Sequence, residues 1–227
     1  MRIYIKAAAF FVFTSLFVVC ANNTPLEPAV RTVWPQWNSF AEAFIQDDGR
    51  VVDWTAQART VSEAQAYGLF FALVANDRPR FQKILAWTET NLAMSSLRRH
   101  LPAWWWGQDE SGHWKILDPN SASDADLWLA YDLFEAGRLW RVPEYVETAH
   151  AILRQVVDTE VSDANGKMLL PGPFGFETAS EQRLNPSYLV LFQLDYFAKA
   201  DPRGPWRAIR DRFIQLLPEL APSGLSL

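Results

Sequence analysis

Two acids stand 61 residues apart, each at the head of an apolar run: Glu63 in "TVSEAQAYGLFF" and Asp124 in "SASDADLWLAYDLF". Such acids have an ordinary use. Thr60 and Glu63 have capping-box spacing, so Glu63 can bond back to the Thr60 N–H. Asp124 and Asp126 fall in a first turn, where the helix dipole favours negative charge by about 0.3–1 kcal/mol. The chemical use is different. Apolar surroundings raise the pKa of a carboxylic acid, and a raised carboxylic acid can serve as a general acid at neutral pH. Tyr67 lies one turn beyond Glu63 on the same face. Asp124 and Asp126, two positions apart, point in different directions, so one can face a cavity while the other caps or meets a partner. Asp-x-Asp is also a fragment of cation sites, but too short by itself to define one.

Aromatic residues supply the third element. The chain has 11 tryptophans, roughly three to four times ordinary usage. Trp104, Trp105 and Trp106 in "PAWWWG" read as a loop just before the Asp124 helix. Tyr188 heads a later helix, and Phe174 and Phe176 sit in the Gly/Pro loop "LLPGPFGF". Flat indole and phenol rings suit sugar rings, although any one of them can equally fill a core. A groove with two carboxyls and a row of rings fits a polysaccharide chain, because two acids flanking a glycosidic bond are the usual means of hydrolysing it.

Helices must position these groups. Proline and cap signals predict them at about 36–46, from Thr60 to about Asn76, from the Asp77 cap to about Ala93, and at about 123–138. Three more start at Pro143, at Asn185–Pro186 and at Pro205. "HWKILD" reads as a short strand. "EAQAYGLFFALVA", "DADLWLAYDLFEA" and "PSYLVLFQLDYFA" are apolar nearly all round, whereas the helices after them carry one apolar stripe. A helix apolar on all sides is enclosed by protein, and a striped one covers it. Inner and outer helices alternating along a chain describe an all-α toroid. The inner helices start near Glu63, Asp124 and Asn185, in steps of 61 residues. This is an architectural repeat of helix pairs. With every inner helix parallel, Glu63, Asp124 and the Asn185–Tyr188 turn converge on one rim.

Composition excludes several classes. The 227 residues are 49% hydrophobic, enough for one domain with a sizeable core. "MRIYIK" followed by "AAAFFVFTSLFVV" has the pattern of an export signal over residues 1–21, cleaved after Ala21. It is too short for a stable membrane span. Val19 is a poor fit to a lipoprotein site at Cys20, which makes lipid anchoring the lesser alternative. Residues 22–33 read as a linker and 34–227 as the catalytic domain. Formal charge is −5, or −7 without Arg2 and Lys6, and no basic cluster is left to hold nucleic acid. The three histidines are far apart and Cys20 is the sole cysteine, so no metal site and no cofactor are expected.

At this point the sequence resembles glycoside hydrolase family 8, in particular the endoglucanases found with bacterial cellulose-synthase machinery. The resemblance rests on "WPQWNSFAEAFIQDDGRVVD", "SEAQAYGLFFALVANDRPRF", "LPAWWWG", "LDPNSASDADLWLAYDLFEAGRLW", "LLPGPFGF" and "LNPSYL". Ala64, Leu129 and Asp132 are mild departures from the family pattern. The resemblance implies an (α/α)6 barrel and hydrolysis of β-1,4-glucan with inversion. It implies Glu63 as proton donor and Asp124 as the residue holding the sugar at the cleavage point. Trp104, Tyr67, Tyr188, Asn185 and Asp126 are its expected substrate contacts. The implied partners are a cellulose chain and the cellulose synthase or export complex, in the periplasm or outside the cell. The family's general base is an aspartate heading a later inner helix, which the 61-residue step puts at about residue 246. About seven of twelve helices are therefore expected, in a chain that lacks the expected base, which leaves its own activity an open question. The alternatives are a glucan-binding fragment without catalysis, or a family member acting on xylan, chitosan or mixed-linkage glucan.

Overall fold

The computed structural model describes residues 34–220; the export signal and linker expected from the sequence at 1–21 and 22–33 lie outside the described residues. Seven α-helices are present among them: α1 (Pro35–Phe44), α2 (Ser62–Val74), α3 (Arg78–Asn91), α4 (Ser123–Trp140), α5 (Pro143–Thr159), α6 (Leu191–Ala200) and α7 (Trp206–Leu220). They form hairpins. α2 packs on α3, α4 on α5 and α6 on α7, while α4 also touches both α2 and α6. The inner row is thus α2–α4–α6, each with an outer partner, which is the alternation expected from the apolar patterning. No described helix is long and apolar enough to cross a membrane.

The inner helices are enclosed unequally. Leu127, Leu129 and Leu133 of α4 are buried, whereas α2 leaves Tyr67, Phe71 and Val74 exposed and α6 leaves Phe192 exposed. α2 packs chiefly against α3 and α4, so its remaining side faces an apolar hollow of about 490 Å³ lined by Phe40, Phe44, Val51, Tyr67 and Phe71. Between α4 and α5 the backbones come close. A Cβ on Gly137 would stand 2.6 Å from Val146 Cγ2, so glycine is required there.

Asp77 organises the α1–α2–α3 corner. It is buried, and its carboxylate accepts the α3 N-terminal amide of Arg80, the Arg80 guanidinium and the indole N–H of Trp37 in α1. Burial pushes its pKa up, but the bonds from Arg80 and Trp37 outweigh that and hold it below the usual carboxylate range. Asp77→Ala removes a cap worth about 1–2 kcal/mol and strands the buried Trp37 N–H. The expected result is a lower thermal midpoint at pH 7, with the difference from the parent shrinking as pH falls and the carboxylate protonates. An unchanged midpoint at pH 7 would contradict this role.

Strands also contribute. β1 (Thr60–Val61), β2 (Trp105–Gln108) and β3 (Trp114–Asp118) form an antiparallel sheet in the order β1-β2-β3, with a register shift at Trp105/Trp106. β4 (Val161–Ser162) pairs with β5 (Met168–Leu169). The expected WWW loop is therefore mostly strand. Trp106 stacks on Trp114 across the β2–β3 ladder at 4.7 Å, and the Arg50 guanidinium lies 4.5 and 4.2 Å from the two rings. The sheet sits where α2 begins and β3 leads towards α4. α6 starts later than expected, at Leu191. Asn185 caps a single 3-10 turn, Pro186–Tyr188, whose exit residue Leu189 is buried before the helix begins.

Candidate active site

The chain entering α2 fixes Glu63. β1 runs straight into the helix, and the Ser62 amide donates to the Trp104 carbonyl at 3.0 Å. The expected Thr60–Glu63 capping box does not form. The N-cap is Val61, with no capping side chain. The Thr60 hydroxyl is engaged elsewhere, donating to the Val51 carbonyl at 2.7 Å and accepting from Arg50 Nε at 2.9 Å. Glu63 is left for the cleft, with the Ser62 hydroxyl at 3.3 Å. Gln65 braces this turn from below, accepting the Val51 amide and donating to the Thr88 hydroxyl.

Asp124 is positioned by the strap 119–122 that joins β3 to α4. The Trp104 amide donates to the Asn120 carbonyl at 2.7 Å, and the Ser123 amide to the Pro171 carbonyl at 3.0 Å. Asn120 exchanges hydrogen bonds with the Phe174 backbone through Nδ2 and Oδ1. The 171–176 loop lies so close that a Cβ on Gly172 would meet the Ser121 carbonyl at 2.5 Å. α4, like α2, begins without a capping side chain, its N-cap being Ala122.

The result is a cleft of about 460 Å³. Glu63, Trp104, Asn185 and Tyr188 line it, as do Asp118, Asn120, Ser121, Phe176 and Arg183. A larger hollow of about 630 Å³ shares none of these residues; it lies along α5 and carries mixed charges from Glu147, Arg154, Asp158 and Arg203. Burial and the neighbouring Glu63 charge push the Asp124 pKa up to about 7. Burial raises Glu63 as well, opposed by its hydrogen bonds and by Arg59. The larger shift is thus at Asp124. Asp124 is therefore partly protonated near neutrality, and the Glu63 charge favours that state. Tyr188, pushed up to about 12 by burial and by these two acids, stays a neutral hydroxyl.

Of the rim residues predicted from the 61-residue step, Glu63, Asn185 and Tyr188 line one cleft, whereas Asp124 is buried behind the lining, near enough for Glu63 to raise it and for both acids to raise Tyr188. Tyr67 feels both acids and packs edge-on to Trp128 at 5.8 Å. Asp126 is a correction. Expected as a substrate contact, it is fully buried and faces Glu160, not the cleft. Of the three consecutive tryptophans, Trp104 alone lines the cleft. Sequence reasoning missed Asp118, Ser121 and Arg183; only the "LDPNS" turn before Asp124 hinted at the first two. No group of three or more potential metal ligands occurs among the described residues.

With this geometry established, comparison with known proteins is informative. The family model of glycosyl hydrolases family 8 matches residues 14–227. The chain is 46% identical over 206 residues to an endoglucanase of Salmonella typhi, covering 89% of this chain and 55% of that protein. It is 45% identical over 196 residues to an endoglucanase of Escherichia coli K12, covering 85% and 53%. The chain therefore spans about half the length of the curated relatives it matches. The crystal structure of the endo-1,4-D-glucanase of Vibrio fischeri ES114 superposes with a TM-score of 0.81 at 43% identity, over 85% of this chain and 57% of that one.

Proposed function

This chain belongs to glycosyl hydrolases family 8, and on that premise we propose that its cleft takes a β-1,4-glucan chain, with Glu63 as proton donor and Asp124 holding the sugar at the point of cleavage. The observation that carries the reading is that Glu63 lines one cleft with Trp104 and Tyr188, with Asp124 buried beside it and near enough to feel the Glu63 charge. The (α/α)6 hairpin architecture is the scaffold of this arrangement. A sugar hydroxyl donating to Asp124 stabilises its ionised form. The charge thus fixed on Asp124 favours the protonated form of Glu63, whose proton can pass to the leaving oxygen. Arg183 and Asn185 offer donors along the same wall. Inversion requires a base to activate water on the opposite face of the sugar, a part that this reading assigns to no described residue.

The same reading assigns the protein to the periplasm or the cell exterior, on the strength of Arg2, Lys6 and the apolar run after them. It assigns it a place beside a cellulose synthase or export complex, on the motifs shared with that group of endoglucanases. A second reading, glucan binding without hydrolysis, uses the same cleft.

Calorimetry with cellohexaose, alongside a reducing-sugar assay, tests both. Heat of binding with sugar release supports hydrolysis; heat without release supports the binding module; no heat at all overturns the cleft. Trp104→Ala should weaken cellohexaose binding about tenfold, from the lost ring contact and apolar burial. Unchanged affinity would remove Trp104 from the site.

A further inference from the structure

Beneath Asp124 lies a second pair of carboxyls that the proposed reaction does not use. Asp126 is in the first turn of α4, and Glu160 caps the end of α5. Both are fully buried. Glu160 Oε1 accepts from the Ser121 hydroxyl at 2.5 Å. Its Oε2, and both carboxyl oxygens of Asp126, lack any hydrogen-bond donor. Two buried carboxylates in contact with no cation between them would repel strongly and leave those oxygens unpaired. One proton resolves the conflict, because it joins an oxygen of each.

The backbone around the pair links it to the cleft. The Leu170 amide donates to the Glu160 carbonyl at 2.8 Å, the Ser123 amide to Pro171 and the Asp126 amide to Ala122. The pair therefore ties the end of α5, the strap carrying Ser121 and the first turn of α4 together, two residues from Asp124. We propose that Asp126 and Glu160, joined by a bridging proton and anchored through Ser121, are a positioning pair that holds Asp124 beside the cleft. This rests on the glucan reading for its purpose, but not for its existence.

The charged groups felt by the pair are Asp124, through both members, and Glu63, through Asp126. Burial first, and then the neighbouring acids, keep Asp126 protonated well above its usual range, while Glu160 is pushed up to about 8. When Glu160 gives up its own proton, one negative charge appears under Asp124 while the proton on Asp126 still bridges the pair. Glu160→Gln is the informative variant. Its amide can donate to Asp126 and accept from Ser121, so it keeps the contacts but cannot take up that charge.

The test combines carboxyl-carbon NMR titration with cellohexaose calorimetry at pH 6.5 and 9. In the native chain the Asp124 signal should show a second inflection near 8 that Glu160→Gln lacks. Cellohexaose affinity should fall about tenfold or more between the two pH values in the native chain, and clearly less in Glu160→Gln; a tenfold change corresponds to about 1.4 kcal/mol. Ser121→Ala, which keeps both acids, should shift the inflection without abolishing it. Identical titration of Asp124 in the native chain and Glu160→Gln would overturn the pair, whatever the sugar does. If neither protein binds cellohexaose, the glucan reading fails, and the NMR arm still decides the pair.

Discussion

Replacing Glu63 by Gln should lower glucan hydrolysis by about 10²–10⁴-fold, the usual contribution of a general acid, while leaving the fold intact. The reason lies in how the residue is held. Its helix has no capping side chain, and Thr60, the obvious partner, is turned towards Val51 and Arg50. Glu63 therefore stabilises its helix little, and the amide isostere leaves the Ser62 contact available. The measurement is best made on a chimera in which residues 34–220 replace the matching segment of an endoglucanase relative, with reducing-sugar release from carboxymethylcellulose as readout. Melting should be unchanged within about 1 kcal/mol. Binding should persist, because Trp104 and Tyr188 are untouched. Asp124 should titrate lower in this variant, since the Glu63 charge is the second cause of its elevation after burial. Full activity in the glutamine variant would remove Glu63 from the reaction.

Asp132→Ala should stabilise the protein, which is unusual for a buried position. Asp132 lies in the middle of α4, fully buried, with neither carboxyl oxygen hydrogen-bonded. Burial alone pushes its pKa well above the usual range. An unpaired buried polar group costs about 1–3 kcal/mol, and removing it recovers that at the expense of a small void. The pH dependence identifies the cause. In the unfolded chain the group titrates at about 3.9. Because the folded pKa is higher, the native protein is most stable below that value and loses stability as pH rises towards the folded pKa. The advantage of the alanine variant should therefore be small at pH 4 and grow by pH 7. The difference between variant and parent isolates Asp132 from the other buried acids. Urea midpoints at the two pH values give the result, and a variant less stable than its parent at pH 7 would refute the argument.

Much of this was legible in the residues. Proline and cap signals located the helices because those residues act locally: Pro143 opens α5, and Asp77 caps α3. The rim was legible through the 61-residue step, since a repeated hairpin returns the chain to the same end of the bundle. What could not be read were choices made by distant partners. Glu160 ends a striped outer helix and looks like an ordinary surface acid; its burial depends on Ser121 and Asp126, which lie 39 and 34 positions earlier. Trp106 looked like a sugar platform until β3 brought Trp114 beside it and Arg50, from the segment before β1, lay over both rings. The Thr60–Glu63 spacing was right for a capping box, yet Val51 and Arg50 took the threonine first. Asp118, Ser121 and Arg183 gained their place only when the strap and the 171–176 loop met.

The bare starts of α2 and α4 carry a further meaning. A serine or aspartate at either N-cap would secure free amides of the opening turn, and typically adds about 1 kcal/mol; Val61 and Ala122 forgo this. Each of these two opening turns carries an acid of the site, Glu63 or Asp124, and a capping side chain would stand beside it. Efforts to make this protein more heat-resistant should therefore concentrate on its outer shell and leave these two thresholds alone.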